Sequence, residues 1–128
     1  MSNPRITAKE RGLIKGALRR VFSRSDLRRK VMATALIEHT DANRPRVRKW
    51  GRCSECKKPT PFYTMEADHK NPIVPVNSSL EQMDWNTLVD RLWCLEEDLT
   101  PLCKPCHSFK TKAEAKERRE YKRKRSKK

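Results

Sequence analysis

The sequence predicts a small α+β domain whose hydrophobic core alone is too small to stabilise it. Three observations predict it: helix-forming segments lie near both ends, short strand-favouring segments lie between them, and two cysteine pairs bracket those segments. The chain has 128 residues, of which 35% are hydrophobic and 37% are charged. Typical domains have ~45–50% apolar and ~25% charged residues, so we expect a second source of stability.

Two helices are predicted in the N-terminal part of the chain. Thr7 and Glu10 form a capping-box pattern, and apolar residues then recur at helical spacing. Either Ser23 or Ser25 caps the second helix, and the two helices are expected to pack on each other. The predicted apolar faces are Leu13, Ile14, Ala17, Leu18, Val21 and Phe22 in the first helix, and Leu27, Val31, Met32, Ala35 and Leu36 in the second.

The middle of the chain alternates between short elements and loops. Residues 40–49 are rich in turn residues and arginine, which predicts a linker, and residues 62–65 favour a strand. Residues 70–80 contain two prolines and no clear period, so we predict a loop. A short helix is expected over residues 85–93, followed by an extended segment over residues 99–102.

The C-terminal part is predicted to be a long basic helix. It begins near Lys104 and runs to about Arg119 or beyond, and the remaining residues read as a frayed, basic, low-complexity tail. The predicted organisation is a basic helical extension over residues 1–49, a core over residues 50–119 and a basic tail over residues 120–128.

Charge is distributed unevenly along the chain. The formal net charge is +15, with +11 in residues 1–52, −4 in residues 53–109 and +8 in residues 110–128. So large an excess of positive charge favours a polyanionic partner, with nucleic acid as the first choice and an anionic membrane surface as the second. The flanks are either solvated arms or segments that grip a phosphate backbone.

The chain contains no segment that predicts membrane insertion or secretion. No apolar run approaches the ~20 residues that span a bilayer, and the first residues lack the apolar core of a signal peptide. We therefore expect a cytoplasmic, reducing compartment. In such a compartment, cysteines are better interpreted as metal ligands than as disulfides.

Two cysteine pairs provide the strongest chemical signal. They are Cys53-x-x-Cys56 and Cys103-x-x-Cys106. Each spacing lets two thiolates bind one metal ion from a tight turn, and four thiolates complete a tetrahedral zinc site with no open position. We predict one structural Zn²⁺ per chain, with reduced, unliganded cysteines as the alternative. The fifth cysteine, Cys94, is interpreted as a small buried apolar residue.

A second group of reactive residues lies close to these pairs. Asp68 and His69 lie between the two pairs, and His107 directly follows Cys106. Adjacent residues of a helix point about 100° apart, so we expect His107 to face away from the zinc and toward a second site. On a regular strand Asp68 and His69 point to opposite faces, so they share one site only if the strand ends or kinks there.

Together these motifs resemble the HNH endonucleases, in a zinc-stapled, treble-clef-like form of the ββα-metal finger. The resemblance covers residues 53–111, and residues 88–94 with the basic helices upstream are similar to small HNH proteins of bacteriophages. The matching motifs are Cys53-x-x-Cys56, Ala67-Asp68-His69, Asn71-Pro72-Ile73, the run from Leu99 to His107, and Lys110-Thr111. The resemblance implies an α+β ββα-metal core, DNA as the partner, and phosphodiester hydrolysis that leaves 5′-phosphate and 3′-hydroxyl ends.

The resemblance also assigns roles to single residues. His69 matches the general base that takes a proton from water, and an ordinary imidazole pKa of ~6.5 suits this role. Asp68 and His107 match the ligands of a catalytic Mg²⁺ or Mn²⁺ ion, which would polarise the scissile phosphate. Where many family members have asparagine, this chain has Asp98, which accepts hydrogen bonds but does not donate when ionised and could become an extra metal ligand.

The expected function is a metal-dependent HNH-type DNA endonuclease that nicks or cuts both strands, in a bacterial host cell if a phage encodes the chain. The alternative is a catalytically weak, zinc-stapled DNA-binding or phage DNA-packaging accessory module, and Asp98 favours it. DNA is expected to be contacted mainly through its backbone, by Arg118, Arg119 and Lys122. Lys110 is either a further phosphate contact or a solvated side chain.

Overall fold

The computed structural model describes residues 3–126, and within them the α+β class is confirmed. The elements form four α-helices and two small antiparallel sheets, of order β1-β2-β3 and β4-β5. They are α1 (Ala8–Ser23), α2 (Asp26–Ala33), β1 (Leu36–Ile37), β2 (Trp50–Arg52), β3 (Pro59–Pro61), β4 (Glu66–His69), α3 (Trp85–Leu92), β5 (Leu99–Leu102) and α4 (Lys104–Ser126). None of the helices described is long and apolar enough to cross a bilayer.

Side-chain caps fix where the two N-terminal helices begin. The Glu10 N–H donates to the Thr7 hydroxyl at 3.1 Å, and the Thr7 N–H donates to the Glu10 carboxylate at 3.0 Å, so the capping box is confirmed. Ser25 rather than Ser23 caps α2, and it accepts the Arg28 N–H at 3.2 Å. Each cap satisfies backbone donors that have no partner inside the helix.

Helices α1 and α2 belong to the main hydrophobic cluster and do not extend as free arms. Phe22 and Val31 are buried in the same cluster as Leu88 of α3. Helix α2 also packs against β4 and β5. Only part of the predicted apolar face of α1 is used, because Leu13 and Val21 are 64% and 60% exposed.

The first sheet holds the first cysteine pair. Strand β2 pairs antiparallel with β1 and β3, and the turn between β2 and β3 contains Cys53 and Cys56. Lys57 in this turn has a φ of 64°, in the left-handed region that reverses the chain direction. Gly51 of β2 lies so close to the Met65 sulfur that a Cβ at this position would overlap it, so a larger residue there would force the buried Met65 side chain to move.

The strand predicted over residues 62–65 is wrong, because a short 3₁₀ turn occupies Phe62–Thr64. The Thr64 hydroxyl donates to the Pro61 carbonyl at 2.7 Å, a local bond that competes with strand pairing. The predicted linker over residues 40–49 contains no helix or strand, as expected, and the helix predicted over residues 85–93 is observed as α3.

The second sheet places the middle of the chain beside α4. Strands β4 and β5 are antiparallel, with Glu66 opposite Leu102 and His69 opposite Leu99. Strand β4 ends at His69, and α4 begins shortly after β5. Helix α4 then continues to Ser126, so residues 120–126 are helical and not frayed, whereas residues 127–128 of the predicted tail lie outside the described residues.

Candidate metal centre and adjoining cavity

The four cysteines of the two pairs meet at one point. The sulfur atoms of Cys53, Cys56, Cys103 and Cys106 all lie within 4.8 Å of one another, and those of Cys56 and Cys103 are 3.8 Å apart. Four sulfurs at ~2.3 Å around a tetrahedral zinc would be separated by about 3.8 Å. The predicted convergence is therefore confirmed, and the group could hold a zinc ion.

Backbone hydrogen bonds bring the two cysteine pairs together. The Ser54 N–H donates to the Pro101 carbonyl at 3.1 Å, which fixes the turn after β2 against β5. The His107 N–H donates to the Cys103 carbonyl at 3.0 Å and closes the first turn of α4. The second pair thus lies on a strand end and a helix start, and the first pair lies on a turn that is tied to that strand.

Cys53 and Cys106 of the cluster differ in how readily their thiols ionise. Burial raises the pKa of Cys53, but the N–H groups of Cys103, Cys56 and Glu55 donate to its sulfur and lower this pKa to about 6. The neighbouring sulfurs, that of Cys103 first, and burial raise the pKa of Cys106 to about 12. One thiolate therefore forms readily, whereas ionisation of the whole group needs a compensating positive charge.

A cavity near the cysteines brings together three of the predicted site residues. Asp68, His69 and His107 line a cavity of about 290 Å³, together with Arg19 of α1 and Arg118 of α4. The other residues that line it are Ala67, Pro72, Ile73, Thr111, Glu114 and Ala115. His107 thus faces a site separate from the thiolate cluster, as the helix geometry predicts.

The end of β4 lets two adjacent residues reach one cavity. Asp68 contacts His107 and Lys110 of α4, whereas the His69 ring lies 5.0 Å from the Phe22 ring of α1. The two side chains therefore leave opposite faces of the strand, as a regular strand requires. The cavity lies between α1 and α4 at the point where the strand stops, so both side chains line it.

His69 is oriented by a backbone carbonyl. Its Nε2 lies 2.7 Å from the carbonyl oxygen of Leu92, at the end of α3. A carbonyl oxygen only accepts hydrogen bonds, so Nε2 carries the proton and Nδ1 keeps a free lone pair. Burial lowers the pKa of His69 below its ordinary value, and the positive charge of Arg19 lowers it further. The ring is therefore neutral near pH 7 and has one nitrogen able to accept a proton.

His107 is oriented by a carboxylate that the sequence analysis missed. Its Nδ1 lies 2.8 Å from the Glu66 carboxylate, and its Nε2 lies 3.5 Å from Oδ1 of Asp68. When Nδ1 donates to Glu66, the Nε2 lone pair faces the Asp68 carboxylate, and a cation suits this pair of acceptors. The alternation of side chains along a strand could have identified Glu66, because Glu66 lies two positions before Asp68 on β4 and therefore points to the same face.

Lys110 is directed inward and does not extend into solvent. Its ammonium contacts the Asp68 carboxylate and the carbonyl oxygens of His69 and Lys70. Asp68 is only 7% exposed, and this pairing supplies the opposite charge that a buried carboxylate needs. Lys110 is therefore not a freely solvated side chain, and its contact with phosphate stays a prediction.

Asp98 does not line the cavity that Asp68 and His107 share, but it lines a second cavity together with His69. This second cavity has a volume of about 430 Å³, and of the residues described around the two cavities only His69 lines both. The backbone carbonyl of Asp98 accepts the Lys70 N–H at 2.8 Å. The carbonyl of Leu92, and not the side chain at position 98, orients the His69 ring.

The three predicted DNA contacts of α4 differ in their surroundings. Arg119 and Lys122 are exposed. Arg118 is half-buried, and its guanidinium donates to the carbonyls of Val74 at 2.8 Å and Pro75 at 3.4 Å. Arg118 therefore fixes the loop after β4 in addition to lining the cavity.

Within residues 3–126, the four cysteines form the one group of three or more His, Cys, Asp or Glu side chains placed closely enough to hold a metal ion. Asp68 and His107 offer two protein ligands beside it. No protein-family model matches this chain, and no curated protein or solved structure matches it. Functional roles must therefore be argued from the geometry of the site.

Proposed function

We propose that the chain is a metal-dependent HNH-type DNA endonuclease that hydrolyses phosphodiester bonds. The observation that carries the proposal is the convergence of Asp68, His69 and His107 on one cavity that two arginines also line. Two antiparallel strands followed by a helix, joined to a group of four cysteines, support an HNH-type ββα-metal core.

His69 has the properties that a general base requires. Its Nε2 is committed to the Leu92 carbonyl, so Nδ1 is the atom that accepts the proton of an attacking water. The lowered pKa keeps this nitrogen unprotonated at neutral pH. The nearby Asp68 carboxylate stabilises the imidazolium that forms when the proton is taken up.

Asp68 and His107 are the proposed ligands of a divalent ion, Mg²⁺ or Mn²⁺. When bound, such an ion would neutralise charge on the scissile phosphate and on the leaving oxygen. Glu66 is a positioning residue, because its carboxylate fixes the His107 ring and the tautomer that presents Nε2. Lys110 contacts Oδ2 of Asp68, whereas Oδ1 faces His107.

Positive charge at the cavity is suited to a phosphodiester substrate. Arg19 and Arg118 line the cavity from opposite helices, and the chain carries a net charge of +15. Guanidinium groups bind phosphate oxygens with directed, charge-assisted hydrogen bonds. These contacts would hold the DNA backbone without reading its sequence.

Relaxation of supercoiled plasmid tests the proposal. Zinc-loaded wild-type protein should cut in the presence of Mg²⁺ or Mn²⁺ and should not cut without an added divalent ion. His69→Ala should reduce the rate by ~10²–10⁴-fold, which is the usual contribution of a general base. His39→Ala is the matched control, because that ring packs 4.6 Å from Trp50 and does not line the cavity. Cleavage by His69→Ala at the wild-type rate would show that the mechanism is wrong.

One observation favours the second function, a zinc-stapled DNA-binding or phage DNA-packaging accessory module with weak catalysis. The Lys110 ammonium lies against Asp68, the carboxylate assigned to the divalent ion. An ammonium in this position supplies the charge compensation that an ion would otherwise supply. Plasmid binding without cleavage under every divalent ion tested would favour this function over the nuclease.

A further inference from the structure

A basic cleft adjoins the candidate catalytic cavity. It has a volume of about 440 Å³ and lies between Lys15 and Arg19 of α1 and Arg118 and Lys122 of α4. Each helix contributes one lysine and one arginine four positions apart, which places both on one face of their helix. The cleft is also lined by Ile73, Val74, Ser78, Ser79 and Leu80.

The four cations of this cleft have no ion-pair partner among the described residues, and the carboxylate of Glu114, on which the charge of Arg118 acts, lines the adjoining catalytic cavity. None of them forms an ion pair within 4.0 Å with a side chain that the structure describes, and no carboxylate occurs among the described lining residues. Burial and the positive charges of Arg19 and Arg118 lower the pKa of Lys15. The like charges repel one another, and a bound anion would offset this repulsion.

The cleft and the catalytic cavity are adjacent and share lining residues. Arg19, Ile73 and Arg118 line both of them. Arg118 is held in place by its bond to the Val74 carbonyl at 2.8 Å, so its position is fixed before a ligand arrives. A nucleic-acid strand with one phosphate in the cavity would carry its neighbouring phosphates along the cleft, since a strand has one charge per ~3.4 Å of helix axis.

We infer that this cleft is a binding subsite for the sugar–phosphate backbone of DNA, and that Lys15 and Arg19 give α1 a direct part in substrate binding. The inference rests on the proposed function and extends it to residues outside the HNH-like segment. Phosphate is the ligand class because the cleft offers two ammonium groups, two guanidinium groups and the residues Ser78 and Ser79.

A charge-matched pair of double variants tests the inference. Lys15→Gln/Lys122→Gln removes the two lysines that line the cleft but not the catalytic cavity. Lys9→Gln/Lys116→Gln removes two exposed lysines that lie six positions earlier on the same helices, about 240° around each helix axis. Binding of a labelled duplex is measured by fluorescence anisotropy between about 50 and 200 mM salt, without divalent ions, so that no DNA is cut.

The Lys15→Gln/Lys122→Gln variant should have a shallower slope of log affinity against log salt, smaller in magnitude by about 1.8, because two phosphate contacts are lost. The control variant should change the slope by less than half as much. Lys15→Arg/Lys122→Arg keeps both charges and should bind as wild type does, which separates lost charge from lost folding. Equal slopes in the Gln variants, or no DNA binding by the wild type, would overturn the inference.

The plasmid assay on the same proteins separates this inference from the nuclease proposal. A wild type that binds DNA through the cleft but does not cut would refute the nuclease and leave the subsite supported. If the wild type cuts DNA but Lys15→Gln/Lys122→Gln binds DNA like the Lys9→Gln/Lys116→Gln control, the subsite is refuted and the nuclease proposal is not.

Discussion

The cysteine cluster and the cavity beside it both contain residues of α4, but they differ in how their polar groups are satisfied. At the cluster, four sulfurs face one another within 4.8 Å. At the cavity, each predicted site residue has a partner in the protein. The pairs are Asp68 with Lys110, His107 with Glu66 and His69 with the Leu92 carbonyl.

From this difference we expect that a cation at the cluster is needed for folding, whereas a cation at the cavity is needed only for the proposed chemistry. Ionisation of all four packed thiols needs a compensating ion, so we expect metal binding and folding to be coupled at the cluster. At the cavity, Asp68, His107 and His69 already have partners in the protein, so we expect them to keep their positions without a divalent ion. The predictions below test this contrast.

The largest effect is expected from Cys103→Ser/Cys106→Ser. Structural zinc contributes ~10–16 kcal/mol in small zinc-binding peptides, which exceeds the ~5–15 kcal/mol of a typical domain. We therefore expect loss of zinc and of cooperative unfolding, measured by metal analysis and circular dichroism. Cys94→Ala is the control, because Cys94 is not part of the cluster, and it should keep both. Normal zinc content in the double variant would refute the structural zinc site.

The next largest effect is the loss of cleavage in His107→Ala without loss of the fold. This variant removes a proposed ligand of the divalent ion but no thiolate, so zinc content and melting temperature should stay close to wild type. Excess Mn²⁺ should restore part of the rate, because a site with fewer ligands still binds an abundant ion. His69→Ala should show no such rescue. Equal rescue of both variants would contradict the division of roles between base and ligand.

A pH profile should show an intermediate effect. Burial lowers the folded-state pKa of His69 below its ordinary value, so the rate should be flat at neutral pH and fall only at a pH below the ordinary histidine pKa. Because the pKa of His69 is lower in the folded state, the unfolded chain binds a proton at His69 more readily than the folded chain does. The contribution of the neutral His69 to folding stability is therefore present at neutral pH and is lost as the pH falls from the ordinary histidine pKa through the lowered, folded-state pKa. Rates and melting temperatures measured from pH 5 to pH 8 would check both, and His69→Ala should lose this pH dependence of stability. A rate that declines already above pH 7 would contradict a lowered pKa for the base.

The smallest effect is expected from Asp98→Asn. Asp98 and His69 both line the cavity of about 430 Å³, but the His69 ring is held by the Leu92 carbonyl, so an asparagine at position 98 should change the cleavage rate by less than threefold. Plasmid relaxation with Mg²⁺ measures it, with His69→Ala as the reference for a large loss. A gain of tenfold or more would show that position 98 limits the chemistry.

Features determined by neighbouring residues could be predicted from the sequence alone. The capping box of α1 and the course of α3 and α4 follow from spacings within one turn or one helix. The convergence of the two cysteine pairs is a long-range contact that could be predicted, because each pair has a metal-chelating spacing and four thiolates complete a tetrahedral site, although Cys56 and Cys103 are 47 positions apart. The strand predicted over residues 62–65 failed because the Thr64 hydroxyl bonds to Pro61, which strand propensity does not register.

Other contacts between distant residues were decided only by the tertiary structure. Lys110 and Asp68 are 42 positions apart, and Leu92 lies 23 positions after His69. Likewise, Arg19 of α1 lines the cavity, and no local pattern in the sequence of α1 predicts that contact. Short-range spacing fixes which residues share a turn or a face, because the backbone geometry of one element is regular. Which faces then meet depends on how the apolar surfaces of the whole chain are buried together, and no local pattern encodes that.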